Sequence, residues 1–422
     1  MAHSRKFVGA LLFVLLTLRR LALVGFTLPL AACGGRTPLD TLVAGGEISS
    51  GGATGTGGAP STGGGTSTKL VATSVATNSF HTCALLKGGA VRCWGYGFFG
   101  QLGDGATTNS AVPVPVAGVA DAVAVSAGSN HTCALRNGGT VQCWGGNSFG
   151  QLGTGTWTGS LAPTSVSGLG DAVGVSAGRD EHTCAIQSDG AVQCWGKNNI
   201  GQLGNGTTDD SSVPLPVAAI GDAVVVSAGS YFTCAMLKSG GVECWGYGAN
   251  DTLGGPTNGL TPVFEPIAVP GVADAVAIAA GAAHACAVLR GGAVECWGAY
   301  ASGQLGNGTT TGGSDPVLAS GIANAVAVAV GDRHTCAVLT SGGVDCWGDN
   351  SFGQLGDGTE TGSSVPVQVV GISNAVGVAA GSQHTCVFLD SGAVECWGWN
   401  AYGQLGNGTT ANSSAPVTAT GF

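Results

Sequence analysis

The stretch 131–145, "HTCALRNGGTVQCWG", sets a histidine, two cysteines ten positions apart and a tryptophan around a glycine turn. Two chemistries suit such a set. His131, Cys133 and Cys143 could supply three ligands of a tetrahedral zinc site, and a cysteine near a histidine could form an activated thiol nucleophile. Both readings fail on repetition. Near-copies begin at His81, His182, His284, His334 and His384, and at Phe232, where the histidine is lost. Catalysis needs one site made distinct from its surroundings, and zinc would need seven equivalent sites, one of them short of a ligand. The pattern points to no catalytic residue, no metal and no cofactor.

The first cysteines of the copies stand at 83, 133, 184, 234, 286, 336 and 386, spaced by 50, 51, 50, 52, 50 and 50 residues. A fixed period near 50 indicates a propeller or solenoid, whose units bury their faces only against their neighbours. In the second copy, "DAVAVSAG" (121–128) reads as a strand small enough for the crowded centre of a ring. "HTCAL" and "TVQCW" are two strands joined by Asn137-Gly138-Gly139. "GGNSFGQLGTGT" is a glycine-rich loop, and "APTSVSG" is a strand whose proline suits an outer edge. Four strands per unit and seven units predict an all-β, seven-bladed β-propeller over 69–422. Composition agrees: 77 of 422 residues are glycine, only 9% are charged, and helical periodicity is absent outside the N-terminus.

That N-terminus reads as a targeting segment. Arg5-Lys6, an apolar run, Arg19-Arg20 and "LALVGFTLPLAAC" end on Leu30-Ala31-Ala32-Cys33, the pattern of a bacterial lipobox. Residues 1–32 are expected to be a lipoprotein signal peptide and Cys33 a lipidated N-terminus. Arg19 and Arg20 split the apolar run into pieces too short to span a bilayer. Residues 34–68, rich in Gly, Ser and Thr, then form a flexible tether, so that 33–68 is anchor and linker. The chain is expected to be exported and held at the outer membrane or cell surface by its lipid alone. A formal charge of −10 with 14 Lys+Arg argues against nucleic acid.

Export places the remaining fourteen cysteines in an oxidising compartment. They form seven pairs, each symmetric about its hairpin turn and therefore expected opposite each other on adjacent strands: Cys83–Cys93, Cys133–Cys143, Cys184–Cys194, Cys234–Cys244, Cys286–Cys296, Cys336–Cys346 and Cys386–Cys396. Seven intrablade disulfides are predicted. The histidines are expected to bond turn backbone and the tryptophans, Trp94 to Trp397, to pack between blades.

"AGSNHTCAL", "GGTVQCWG" and "NSFGQLGTG", recurring in order seven times, resemble the repeat of the regulator of chromosome condensation family. "G-Q-L-G" stands at 100–103, 150–153, 201–204, 303–306, 353–356 and 403–406, and the fourth copy departs from it with "GANDTLGG" and a longer insert. The resemblance covers 69–422 and implies a seven-bladed propeller. The family's nucleotide exchange on a small nuclear GTPase does not suit an exported chain. A secreted propeller inhibitor of β-lactamases, which is similar to this repeat, binds protein through its loop face.

Function is expected where the copies differ. Between the central strand and the histidine position lie Phe80, Asn130, the run Arg179-Asp180-Glu181, Tyr231, Asp332-Arg333 and Gln383, on loops sharing one face. Trp157 and Trp399 have no counterparts in other blades and read as exposed contacts. Arg92, Gln142, Gln193, Glu243, Glu295, Asp345 and Glu395 precede the second cysteines and give an acidic arc on four blades. The expected function is a monomeric, non-enzymatic binding scaffold for a protein or glycan. Inhibition of a secreted enzyme, or a propeller lyase or glycosidase using Asp180, Glu181 and Asp332, are the alternatives.

Overall fold

The computed structural model describes residues 69–255, 262–311 and 315–422; the signal peptide, Cys33 and the linker lie outside them. Strands are numbered in chain order. In the first blade β1 (Ala72–Thr77) is innermost, followed outward by β2 (His81–Leu86), β3 (Val91–Gly95) and β4 (Ser110–Pro115). The pattern recurs to give seven four-stranded antiparallel sheets, each built from consecutive strands. This is the seven-bladed all-β propeller read from the period.

The second strand of each blade is buried along its length because neighbouring blades cover both of its faces. Small residues there, as in "HTCAL", let the sheets approach. Outer strands carry proline, as at Pro113, Pro163, Pro214, Pro266, Pro366 and Pro416, where a missing N–H leaves no ladder partner unsatisfied. The glycine loop of the preceding blade caps several of these edges: Gly155 N–H donates to Ser212 O at 2.8 Å and Gly358 N–H to Ser414 O at 2.9 Å. Cys133 sits directly opposite Cys143 in the hairpin register, and all seven expected pairs are joined as disulfides with Cα atoms 4.0–4.1 Å apart. With Cys133 bonded to Cys143, a metal site using His131 has lost two of its three ligands.

The motif residues prove to be joints between blades. The last glycine of G-Q-L-G, for example Gly103 (φ +70°), lies so close under the next blade's indole that a Cβ would stand 2.6 Å from Trp144 Nε1. Trp144 Nε1 donates to the main-chain oxygen of Gln101 at 2.9 Å, and Thr132 Oγ1 donates to the same oxygen at 2.8 Å. His81 Nε2 then lies 2.8 Å from Thr132 Oγ1. A carbonyl can only accept, so the threonine's one proton goes to Gln101 and the histidine must donate from Nε2. This fixes a neutral tautomer with Nδ1 unprotonated. The histidines were expected to bond turn backbone; instead each reaches a threonine of the following blade, and in four blades its ring lies under a glycine. A Cβ at Gly128 would be 2.3 Å from the His131 ring. Total burial pushes five of the imidazoles down to about 3 and His334 to about 4.

This joint recurs at six of seven junctions, including the seam, where His384 Nε2 lies 3.0 Å from Thr82 Oγ1 and Trp94 Nε1 donates to Gln404 O at 2.8 Å. Ala72 N–H donates to Gly392 O as Ala122 N–H does to Gly89 O, both at 2.9 Å. The ring thus closes without exchange of a strand, although the first blade has Asn78 where the others have glycine. The exception is between blades four and five. Phe232 replaces the histidine, Ala285 the threonine and Thr252 the glutamine, and Trp297 Nε1 has no hydrogen-bond partner.

Candidate binding face

Antiparallel order within a blade puts the loop between its first and second strands on the same face as the loop between its third and fourth. The hairpin turns lie opposite. One backbone hydrogen bond ties the two loops together in every blade: Tyr96 N–H donates to Phe80 O at 2.9 Å, Gly146 to Asn130 at 2.7 Å, Lys197 to Glu181 at 3.0 Å, Tyr247 to Tyr231, Ala299 to Ala283, Asp349 to Arg333 and Trp399 to Gln383, each at 2.8 Å. The framework is invariant and the side chains are not. Blade by blade the pairs are Phe/Tyr, Asn/Gly, Glu/Lys, Tyr/Tyr, Ala/Ala, Arg/Asp and Gln/Trp. Of the second members, only Trp399 is a contact candidate from the sequence. The signal for the rest was available, as a position that takes six different residues in seven copies directly after the constant C-W-G.

Arg179 lies elsewhere than a contact residue would. Blade three holds one more residue than its neighbours between Gly178 and His182, which is why the Cys133-to-Cys184 spacing is 51; Glu181 absorbs the insertion at φ +64°. Arg179 is buried and crosses the ring. Its Nη1 donates to Asp332 Oδ1 at 2.8 Å, and its Nη2 to Val330 O and Ala380 O at 2.8 and 2.6 Å. A guanidinium from blade three therefore links blades six and seven across the centre. Its own carbonyl accepts from the Ser129 hydroxyl, which also lies 2.8 Å from Ser79 Oγ.

The three central carboxylates are each engaged separately. Asp332 holds Arg179. Asp180 holds Lys197 Nζ at 2.9 Å. Glu181 accepts from Asn130 Nδ2 at 2.9 Å, and burial pushes its carboxyl above the usual range. Arg333 and Tyr231 are exposed, Gln383 is half-buried, and Trp157 is 52% exposed with no ring neighbour. Trp399, expected as an isolated exposed contact, is half-buried among other rings. It meets Phe80 at 5.5 Å, Tyr402 at 5.3 Å and Phe352 at 6.2 Å. Tyr96 extends this group, 4.8 Å from Tyr402, 6.3 Å from Phe98 and 6.2 Å from Phe99. Phe98 and Phe99 stand at its rim, 62% and 41% exposed.

The acidic arc lies away from this face. Glu243, Glu295, Asp345 and Glu395 are half-buried on third strands, near the hairpin end, and desolvation raises all four carboxyls. Arg92 donates to Pro113 O at 3.1 Å.

Comparison with known proteins agrees with this architecture. The human protein WBSCR16 superposes with a TM-score of 0.71 at 22% identity, covering 79% of this chain and 94% of that one. Prp20p of Saccharomyces cerevisiae gives 0.69 at 20% identity, over 83% and 87% of the two chains. The ultraviolet-B receptor UVR8 of Arabidopsis thaliana is 50% identical over 40 residues, 10% of this chain and 9% of that receptor's length. Residues 325–354 and 375–404, and 341–388 and 391–422, match the regulator of chromosome condensation (RCC1) repeat. Residues 40–322 match the RCC1-like domain, and with the interblade joints repeated around the ring the chain belongs to the RCC1-like domain family.

Proposed function

We propose that this chain is an exported, lipid-anchored binding scaffold of the cell envelope, without catalytic activity, presenting its loop face to a protein partner. The observation that carries the reading is the set of seven paired positions. One hydrogen-bonded frame recurs seven times, and on it the chain varies the paired side chains while keeping the interblade joint at six of the seven junctions. Variable side chains on a rigid ring are the arrangement of a recognition surface. Prp20p, which shares the fold, has binding properties toward Gsp1p and histones. Separate engagement of Asp180, Glu181 and Asp332 favours binding over glycoside cleavage, which needs two carboxyls working on one bond.

Cys33 supplies the anchor and 34–68 the tether in this reading. The chain enters the propeller at Leu70, whose N–H donates to Gly421 O at 2.8 Å, on the hairpin side.

Site-specific photo-crosslinking in the intact envelope tests the proposal. A photoreactive residue at Phe98 or Gln383 should trap a defined protein, and one at Thr140 on the hairpin side should not. Trapping only from the hairpin side, or none from either, refutes it. Radiolabelled palmitate incorporation that survives Cys33→Ser would refute the anchor.

A further inference from the structure

The charge of the loop face is one-sided. Its loops carry eleven acidic side chains and three basic ones, Arg179, Lys197 and Arg333. Two of the three bases are already paired, with Asp332 and Asp180. The same face gathers the aromatic group across blades six, seven and one, with two rings exposed at its edge. The chain also contains its own example of how this surface receives a cation. Lys197 Nζ sits 4.9 Å above the Phe149 ring centroid while Asp180 bonds it from the side. Ring beneath and carboxylate beside is the geometry that holds an ammonium or guanidinium at a partly wet site. Blades six to one offer rings without the lysine: Trp399 and Tyr96 occupy the position of Lys197 in their blades, and a carboxylate, Asp349, occupies it in blade six.

Resting on the reading of the loop face as a recognition surface, we infer that the aromatic sector of blades six, seven and one docks a lysine- and arginine-rich protein segment. Cationic side chains are received over Trp399 and Phe98, with Asp349, which already accepts from Ser351 Oγ at 2.6 Å and Gln354 Nε2 at 2.9 Å, alongside. The mutual tilt of the rings, 70–78° between Trp399 and its neighbours Phe80 and Tyr402, presents edges and an apolar knob. A flat platform of the kind a sugar ring stacks on is not what these rings form. Negative potential over the whole face would also speed the encounter and make it sensitive to salt.

The test is fluorescence anisotropy of the full chain in detergent. The probes are a labelled sixteen-residue peptide alternating Lys/Arg with Gly/Ser, a matched Asp/Glu peptide, and chitohexaose. The cationic peptide should bind best, and its affinity should fall roughly tenfold with Trp399→Ala and several-fold with Phe98→Ala and D349N. Thr140→Ala, on the hairpin side, should leave it unchanged. Phe98 is mostly exposed, so its variant keeps the test valid if Trp399→Ala does not fold. Equal affinity in all variants would reduce the binding to diffuse charge attraction and overturn the inference. So would preference for the acidic peptide or the oligosaccharide. Should crosslinks from Phe98 trap an acidic or neutral protein, the scaffold reading stands and this inference falls; crosslinks confined to the hairpin side remove both.

Discussion

Six imidazoles held neutral and fully buried make the propeller acid-labile by an amount the structure defines. In the unfolded chain each histidine titrates near its ordinary 6.5, and in the folded ring at about 3 to 4. The folded value is depressed, so the unfolded state binds more protons throughout that window and stability falls as pH falls below 6.5. Between pH 7 and about pH 5.5 each group loses about 1.2 kcal/mol, and the six together about 7 kcal/mol. That is of the same order as the whole stability of an ordinary domain. The raised carboxyls of Glu181, Glu243, Glu295, Asp345 and Glu395 work in the opposite sense, binding protons more readily when folded. A variant that leaves them untouched isolates the histidine effect. The protein supplies its design, since Phe232 and Ala285 stand where other junctions have histidine and threonine. Phe232 fills the same slot, its ring edge 2.6 Å from a Cβ placed on Gly229. H131F with T183A should therefore fold. Guanidinium titrations followed by the seven buried indoles, at pH 7.5 and at about pH 5.5, should show a pH-dependent loss smaller by about 1.2 kcal/mol than in the parent. An undiminished loss, or imidazolium signals from the folded parent at about pH 5.5, would refute the assignment of acid lability to these residues.

Other consequences follow from single joints. Gly103→Ala should cost about 2–4 kcal/mol, combining a left-handed backbone with a collision against Trp144, whereas Gly105→Ala, equally left-handed but facing open space, should cost about 1 kcal/mol; urea midpoints for the pair decide this, and equal costs would mean that the indole yields. Asp332→Ala should destabilise by about 1–3 kcal/mol because Arg179 is left buried with carbonyls alone, and Arg179→Met should cost less, measured in the same way. Replacing Cys133 and Cys143 together by alanine should lower stability by about 2–3 kcal/mol from the short loop they close, with no change in the free-thiol count of the folded protein.

The fold was legible because each blade repeats the same constraints: the cysteine pair marks the hairpin register, a glycine marks its turn, and the 50-residue period counts the blades. The His81-to-Thr132 bond was not legible, since its partners lie in different repeats and comparison of copies aligns each with itself. Two errors share one cause. Arg179 groups with the surface in the sequence because its neighbours Asp180 and Glu181 are there, yet its side chain runs inward to a carboxylate three blades away. Trp399 looks isolated in its own copy, and only the closure of the ring brings it against Phe80 from the opposite end of the sequence. Local pattern reports what a blade contains; it does not report what the adjacent blade places beside it.

The junction between blades four and five bears on how such a ring can change over generations. A histidine lost from one repeat coincides with a threonine lost from the next, so the change is compensated across a boundary between copies. Moving blade five to follow blade three would strand an imidazole against Ala285, and moving blade five's successor to follow blade four would leave a hydroxyl facing Phe232. The unit that can be shuffled, duplicated or grafted is consequently the seam shared by two adjoining repeats, and a repeat copied alone carries two half-interfaces that fit only certain neighbours.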